Sequence, residues 1–318
     1  MTIAILNDCF LTPQHLNRLK QLGNVITYTN GTRSEKQAIE RLKNVDIAVV
    51  DALLTPYNKK VLESTTQLKL LEITSTGYDM VDIQTATEKD IKVANVPGYS
   101  KESVAEFTFG LMLATARGIV RGDKKFRSHP VDDLDHTTEE GKEFIGFDLR
   151  GKTLGIIGLG RIGTAVAELA HGFGMKILGY NRTPRTIEHV ILTSLEDLLK
   201  KSDVVSIHLA LTPETRHIIG KRELSYMKPS SILINVARAG HVDTDALREA
   251  LKEKKIFGAG LDVTEIHDAN HPILSLENVV FAPHIASYTR EAFTVHLPNM
   301  IVENIESFAA GKPIHIVN

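Results

Sequence analysis

The sequence predicts an α/β protein built on parallel sheets, laid out as two successive strand–helix series. Three observations carry that expectation. Short apolar runs alternate with amphipathic stretches along nearly the whole chain, which is the rhythm of strand–helix–strand units. The length of 318 residues suits two ordinary domains better than one. A glycine-rich turn at 158–163 sits between an apolar run and an amphipathic stretch, where the second series begins.

In chain order, the first run is TIAIL (2–6), followed by a helical pattern from Thr12 to Leu22. Residues 24–29 read as a strand, 34–44 as a helix and 45–50 as a strand. The runs 68–74 and 92–96 complete a small sheet. Pro97-Gly98 is turn chemistry, and a long apolar helix follows from about Ser103 to Arg117. Residues 118–150 are charged and poorly periodic, and fit either a solvated linker or an arm that packs on a second subunit. The second series has strands at 152–158, 175–180, 203–210, 231–237, 258–263 and 278–283, with a helix at 161–173. Asp243 is placed to cap the helix through ALREALKEKK, and the chain closes on a helical pattern from about Arg290 to Ala310.

Hydrophobic residues make up 42% and charged residues 24%, enough for a packed core. A net charge of -2 gives no electrostatic reason to expect nucleic acid or an anionic membrane as partner. Cys9 is the only cysteine, so neither an intrachain disulfide nor a cysteine metal cage can form, and no metal is expected. The start MTIAILNDCF lacks the pattern of a signal peptide, and no run of about 20 apolar residues occurs. A reducing cytoplasm is the expected setting.

GLGRIG at 158–163 fits G-x-G-x-x-G. The motif is weak alone and gains meaning from its place between a strand and a helix. Gly158 allows the tight turn, Gly160 lets backbone approach a pyrophosphate, and Gly163 lets helix and strand pack closely. The helix N-terminus then offers unpaired N–H groups to phosphates. At the end of the next strand, an acidic residue would bind the adenosine ribose hydroxyls of NAD. That position holds Asn181, followed by Arg182 and Arg185. A missing carboxylate removes repulsion of a 2′-phosphate, and a guanidinium can hold one, so NADP is the expected preference. The other reading is NAD bound through Asn181, with both arginines solvated.

Three strand ends carry candidate chemistry, because ligands of such sheets bind at the carboxyl ends of strands. Arg238 follows one strand, Asp262, Glu265, His267 and Asp268 follow another, and His284 follows a third. An arginine, a carboxylate and a histidine beside a dinucleotide suit ketone reduction. A cation holds substrate carboxylate and carbonyl, and an oriented imidazolium supplies the proton.

These segments resemble the D-isomer-specific 2-hydroxyacid dehydrogenase family, in its glyoxylate/hydroxypyruvate reductase-like branch. The resemblance rests on GKTLGIIGLGRIG (151–163), SDVVSIHLALTPETRHIIG (202–220), MKPSSILINVARAG (227–240), GAGLDV (258–263) and HPILSLENVVFAPHIAS (271–287). ITSTGYDMVDI (73–83) and NVPGYSKESVAEF (95–107) resemble the family's substrate-side segments.

The resemblance implies a Rossmann-like nucleotide domain (100–286) inserted into a split, flavodoxin-like substrate domain (1–99 plus 287–318), and a homodimer. It implies hydride transfer between NAD(P)H and C2 of a small 2-keto/2-hydroxy acid. Arg238 is then the substrate arginine and His284 the acid/base. The catalytic carboxylate is Glu265 if two residues are deleted after Thr264; Asp268 or His267 is the alternative. Asp262 should meet the nicotinamide carboxamide. Arg161 and Ile162 should lie over the pyrophosphate, and Leu209, Ala210, Thr215, Val236 and Ala237 should line the cofactor cleft. Main-chain N–H groups of Ser75, Thr76 and Gly77 should help hold the substrate carboxylate; a plain connecting turn is the other reading there. A rival class is an NAD(H)-sensing interaction protein of the corepressor type on the same fold. Another is an enzyme oxidising formate or phosphonate-type substrates.

Overall fold

The structure is a computed structural model that describes residues 1–130, 133–183 and 185–318. Val131 and Asp132, in the segment read above as linker or arm, and Pro184, between the two arginines, lie outside the described residues. The chain forms two compact units, 1–100 with 288–318, and 101–287, so the second is inserted into the first.

The first unit holds a parallel sheet of β1 (Thr2–Ile5), β2 (Asn24–Thr27), β3 (Ile47–Val50), β4 (Leu70–Ile73) and β5 (Lys92–Ala94). The order is β2-β1-β3-β4-β5, the flavodoxin-like arrangement. β3 (IAVV) and β4 (LLEI) are buried at every position, as expected for central strands covered on both faces. Helices cap where the sequence supplies oxygen: Thr12, Ser34, Asn58 and Asp82 each accept an N–H in the first turn that follows. The C-terminal helix Leu297–Ala309 buries Ile301, Val302 and Ile305 against the same core as Ile47 and Leu70. The chain end is then stitched to β5: Val317 N–H donates to the Val93 carbonyl and Val93 N–H to Asn318 Oδ1, 2.9 and 2.8 Å.

The second unit holds β6 (Thr153–Ile157), β7 (Lys176–Tyr180), β8 (Val190–Leu192), β9 (Val204–Ile207), β10 (Ile232–Asn235), β11 (Gly258–Leu261) and β12 (Val279–Phe281). All are parallel, in the order β12-β11-β10-β9-β6-β7-β8. The chain runs outward from β6 in one direction and then, from β9, in the other. The β6/β9 junction is therefore the topological switch point. Asp243 caps the helix Thr244–Lys252 as expected, its carboxylate accepting from Ala246 N–H at 3.0 Å.

Three details differ from the sequence reading. β8 is a three-residue, largely exposed edge strand, too short to show a period. Residues 118–150 contain helices Ile119–Ser128 and Glu139–Lys142 rather than plain linker. The C-terminal helix is preceded by a wider π-turn at Ala292–His296. Pro298 accounts for it: proline has no N–H to give and its ring crowds the carbonyl four residues back, so the α ladder cannot run through 294–298. Among the described residues no single helix is long and apolar enough to cross a membrane, and no group of three or more His, Cys, Asp or Glu could hold a metal ion.

Candidate active site

The switch point carries the glycine turn, and each glycine has its own steric reason. Gly158 has φ +97°, and a Cβ there would lie 2.6 Å from the His208 carbonyl oxygen and 2.8 Å from a Leu209 methyl. Gly163, in the first turn of the helix that follows, lies so close to the glycine turn that a Cβ would fall 2.0 Å from the Gly158 oxygen. A Cβ on Gly160 would meet nothing within 4 Å. Gly160 also caps the helix Arg161–Gly172 without a side-chain bond. The first-turn N–H groups of Arg161, Ile162 and Gly163 have no acceptor within the helix. A pyrophosphate fits this cradle: space at Gly160, donors, and the positive end of a helix dipole.

Asn181 follows β7 and ties two loops together. Its Oδ1 accepts from Leu159 N–H at 3.3 Å and its Nδ2 donates to the Thr183 carbonyl at 2.6 Å. Arg182 and Arg185 are exposed. Glu214, across the turn, has its carboxyl held below the usual range, first by the Thr212 hydroxyl and in part by the Arg182 charge. Thr215 spends its hydroxyl on its own loop, donating to the Ala210 carbonyl at 2.8 Å and accepting from Thr212 N–H at 2.8 Å. His208, after β9, lies 2.8 Å from the Ser206 hydroxyl, and desolvation drives its pKa down to about 3. It is a neutral wall rather than a proton donor.

Arg238, Asp262 and His284 emerge at the carboxyl ends of β10, β11 and β12, three neighbouring strands. At a strand spacing of about 4.8 Å, the two outer stems stand roughly 10 Å apart with Asp262 between them. The Arg238 loop is shaped by Asn235, a residue the sequence reading missed. Asn235 Nδ2 donates to the Arg238 carbonyl at 2.8 Å, and its Oδ1 accepts from Ala237 N–H at 3.1 Å. Val236 is buried beside it, and Arg238 Nη1 donates to the Ala237 carbonyl at 2.9 Å. A polar residue in the apolar run ILIN was the available signal.

Asp262 is buried, and both carboxylate oxygens are committed. Oδ1 accepts from Ile285 N–H at 2.8 Å and Oδ2 from Ala286 N–H at 3.0 Å, while its carbonyl accepts from His284 N–H at 2.8 Å. These bonds hold His284 in the left-handed region (φ +59°), a strained backbone for a histidine. Burial pushes the Asp262 carboxyl up, and the two amides and the nearby imidazole pull it back. The residue expected at the carboxamide is thus first a clamp on the turn that presents the imidazole.

Glu265 is not brought to His284. Its charged partner is Arg216, 3.7 Å away, with both side chains about half exposed. The chain leaves β11 toward the 211–217 loop, and opposite charge draws the pair together. Asp268 serves its own turn, accepting from Asn270 N–H at 2.9 Å, and His267 is exposed.

In the first unit, the carbonyls of Ser75, Thr76 and Gly77 are all occupied. They accept from Val96 N–H (3.3 Å), Asn95 Nδ2 (2.7 Å) and Ser75 Oγ (2.7 Å) respectively. Among the described residues, the N–H groups of these three residues donate to no protein acceptor. Three adjacent donors without acceptors suit an anion.

Residues 109–286 match the family of the D-isomer specific 2-hydroxyacid dehydrogenase, NAD binding domain. The glyoxylate reductase of Thermococcus litoralis is 43% identical over 296 residues, 88% of this chain and 86% of that protein.

The chain belongs to the D-isomer specific 2-hydroxyacid dehydrogenase family.

Two solved structures agree with that membership. An acyclic imino acid reductase in complex with NADPH and D-Arg superposes with a TM-score of 0.92 at 34% identity, covering 100% of both chains. The D-lactate dehydrogenase of Aquifex aeolicus, complexed with NAD and lactic acid, gives 0.84 at 32% identity over 98% of this chain and 96% of that one. The family member described here is an NAD(P)-dependent oxidoreductase of 2-hydroxy acids, with two parallel-sheet α/β domains.

Proposed function

We propose that this family member reduces a small 2-keto acid to the D-2-hydroxy acid, with NADPH as its preferred reductant. The carrying observation is the row of Arg238, Asp262 and His284 at the ends of adjacent strands in a unit whose switch point bears a pyrophosphate cradle. The bound nicotinamide supplies the hydride to C2. Arg238 polarises the C2 carbonyl, and the Ser75–Gly77 amides take the carboxylate. His284 gives its proton to the forming alkoxide. Glu265 supports the imidazolium by releasing Arg216. Leu53 and Leu54, exposed on the loop after β3, favour a small apolar substituent. A spectrophotometric panel tests the reading. NADPH and NADH oxidation are followed with glyoxylate, hydroxypyruvate, pyruvate and branched 2-keto acids. Inertness with all of them refutes reduction of small 2-keto acids as this member's reaction.

The imino acid reductase similarity supports one second reading, in which C2 carries an imine rather than a ketone. The same panel with added amine separates the two, because only the imine substrate needs the amine.

NADPH preference rests on Arg182, which is exposed beside Asn181 where a carboxylate would repel a 2′-phosphate. Arg182→Ala should raise the KM for NADPH about tenfold, the loss of one charge-assisted contact, and leave that for NADH unchanged. Equal effects on both cofactors discard the assignment.

Two coarser points complete the proposal. Ile119, Phe126 and Ile145 are exposed in the 118–150 segment, and a second copy of the chain covering them accounts for the arm. The single cysteine, Cys9, is buried with its thiol pushed up to about 12, which suits a reducing cytoplasm.

A further inference from the structure

We propose that Glu72 and Asn304, both buried in the first unit, are positioning residues for the substrate carboxylate, acting through Asn95 on the Gly77 amide of the Ser75–Gly77 turn. The proposal rests on the reading of those amides as the carboxylate site.

Glu72 lies on β4 between two strands, in register with Val49 on β3 and Ala94 on β5, with no exposed surface. Leucine would serve the sheet better there. A buried carboxyl without full pairing is costly, and Glu72 Oε2 has no hydrogen-bond partner. Burial raises its pKa well above the carboxylate range. Its Oε1 accepts from Asn304 Nδ2 at 2.8 Å. The same Nδ2 donates to the Asn95 carbonyl at 2.9 Å, and Asn304 Oδ1 lies 2.8 Å from His315 Nδ1. Asn304 is therefore fully engaged, and its orientation is set by Glu72 on one side and His315 on the other.

The next links are geometric. Asn95 is gripped at its carbonyl by Asn304, and its N–H donates to the His315 carbonyl at 3.2 Å. Its side chain then reaches the Thr76 carbonyl at 2.7 Å. A peptide unit is planar and trans, so a carbonyl held in one direction points the next N–H in the opposite one. Holding the Thr76 carbonyl aims the Gly77 N–H. Holding the Ser75 carbonyl through Val96 N–H aims the Thr76 N–H. The chain from the buried Glu72 carboxyl to one amide is unbroken: Glu72, Asn304, Asn95, the Thr76 carbonyl, the Gly77 N–H.

The test is kinetic, on the full-length protein with glyoxylate as the probe. Asn304→Ala and Glu72→Leu should raise the KM for glyoxylate about tenfold, with kcat within about twofold and the KM for NADPH unchanged. Glu72→Gln keeps the acceptor for Asn304 and should restore the wild-type KM. Leu19→Ala, a fully buried truncation elsewhere in the same unit, controls for destabilisation and should leave KM alone. The relay is overturned if Glu72→Gln is as impaired as Glu72→Leu. It is also overturned if Leu19→Ala raises KM equally, or if glyoxylate and NADPH KM rise together. The underlying reading fails separately. Glyoxylate added to the wild-type protein should shift the Thr76 and Gly77 amide resonances. No shift there removes the carboxylate site and the relay with it. A shift with an unchanged KM in Asn304→Ala removes the relay alone.

Discussion

Replacing His284 with alanine should lower kcat by about a thousandfold while NADPH affinity stays within about twofold. The proton that meets the forming alkoxide comes from the imidazole that Asp262 holds on a fixed turn, whereas His267, past the same strand as Asp262, is exposed. His208 is neutral, with a pKa near 3, and Asp262 has both oxygens bound to backbone amides. The pyrophosphate cradle lies at the β6/β9 junction, on other strands, so cofactor binding should survive. Reduced nicotinamide is excited at wavelengths where protein side chains do not absorb, so the fluorescence of bound NADPH reports affinity. Parallel loss of kcat and affinity would show that His284 serves the fold instead. Glu265→Gln, measured alongside, should lower kcat about tenfold if that carboxylate supports the imidazolium. An unchanged kcat would leave Glu265 as the partner of Arg216 only.

Gly163→Val should abolish measurable NADPH binding and cost on the order of 1–3 kcal/mol of stability, the range for overpacking a tight core. The Cβ would stand 2.0 Å from the Gly158 carbonyl oxygen, which is backbone and cannot rotate away. The helix Arg161–Gly172 must slide off the turn, and its first N–H groups then leave the phosphate position. Gly172→Ala is the matched control, because its Cβ meets nothing within 4 Å. Thermal melts and NADPH fluorescence on both variants decide the matter. Retained binding in Gly163→Val would place the phosphate elsewhere.

Much of the scaffold was legible because its signals are local. Continuous apolar runs such as IAVV and ILIN mark strands buried on both faces, and capping residues such as Asp243 mark helix starts. Elements without such a signal were missed or blurred. β8 is three residues at an edge, and the π-turn before Leu297 depends on a proline acting four residues upstream. Residues 118–150 looked irregular because their helices are short and rich in charge, and the helix Ile119–Ser128 buries none of its residues.

The sequence by itself determined the α/β class, the glycine turn, and the placement of Arg238 and His284 just past strands. Each follows from neighbours within a few positions, where backbone sterics and side-chain period act directly. Only the tertiary structure decided which partner each polar group takes. Asp262 clamps the His284 turn across 23 residues, Glu265 meets Arg216 across a loop, and Glu72 reaches Asn304 across 232. A buried polar atom must satisfy itself with whatever the fold brings within hydrogen-bond reach, and no period along the chain encodes that meeting.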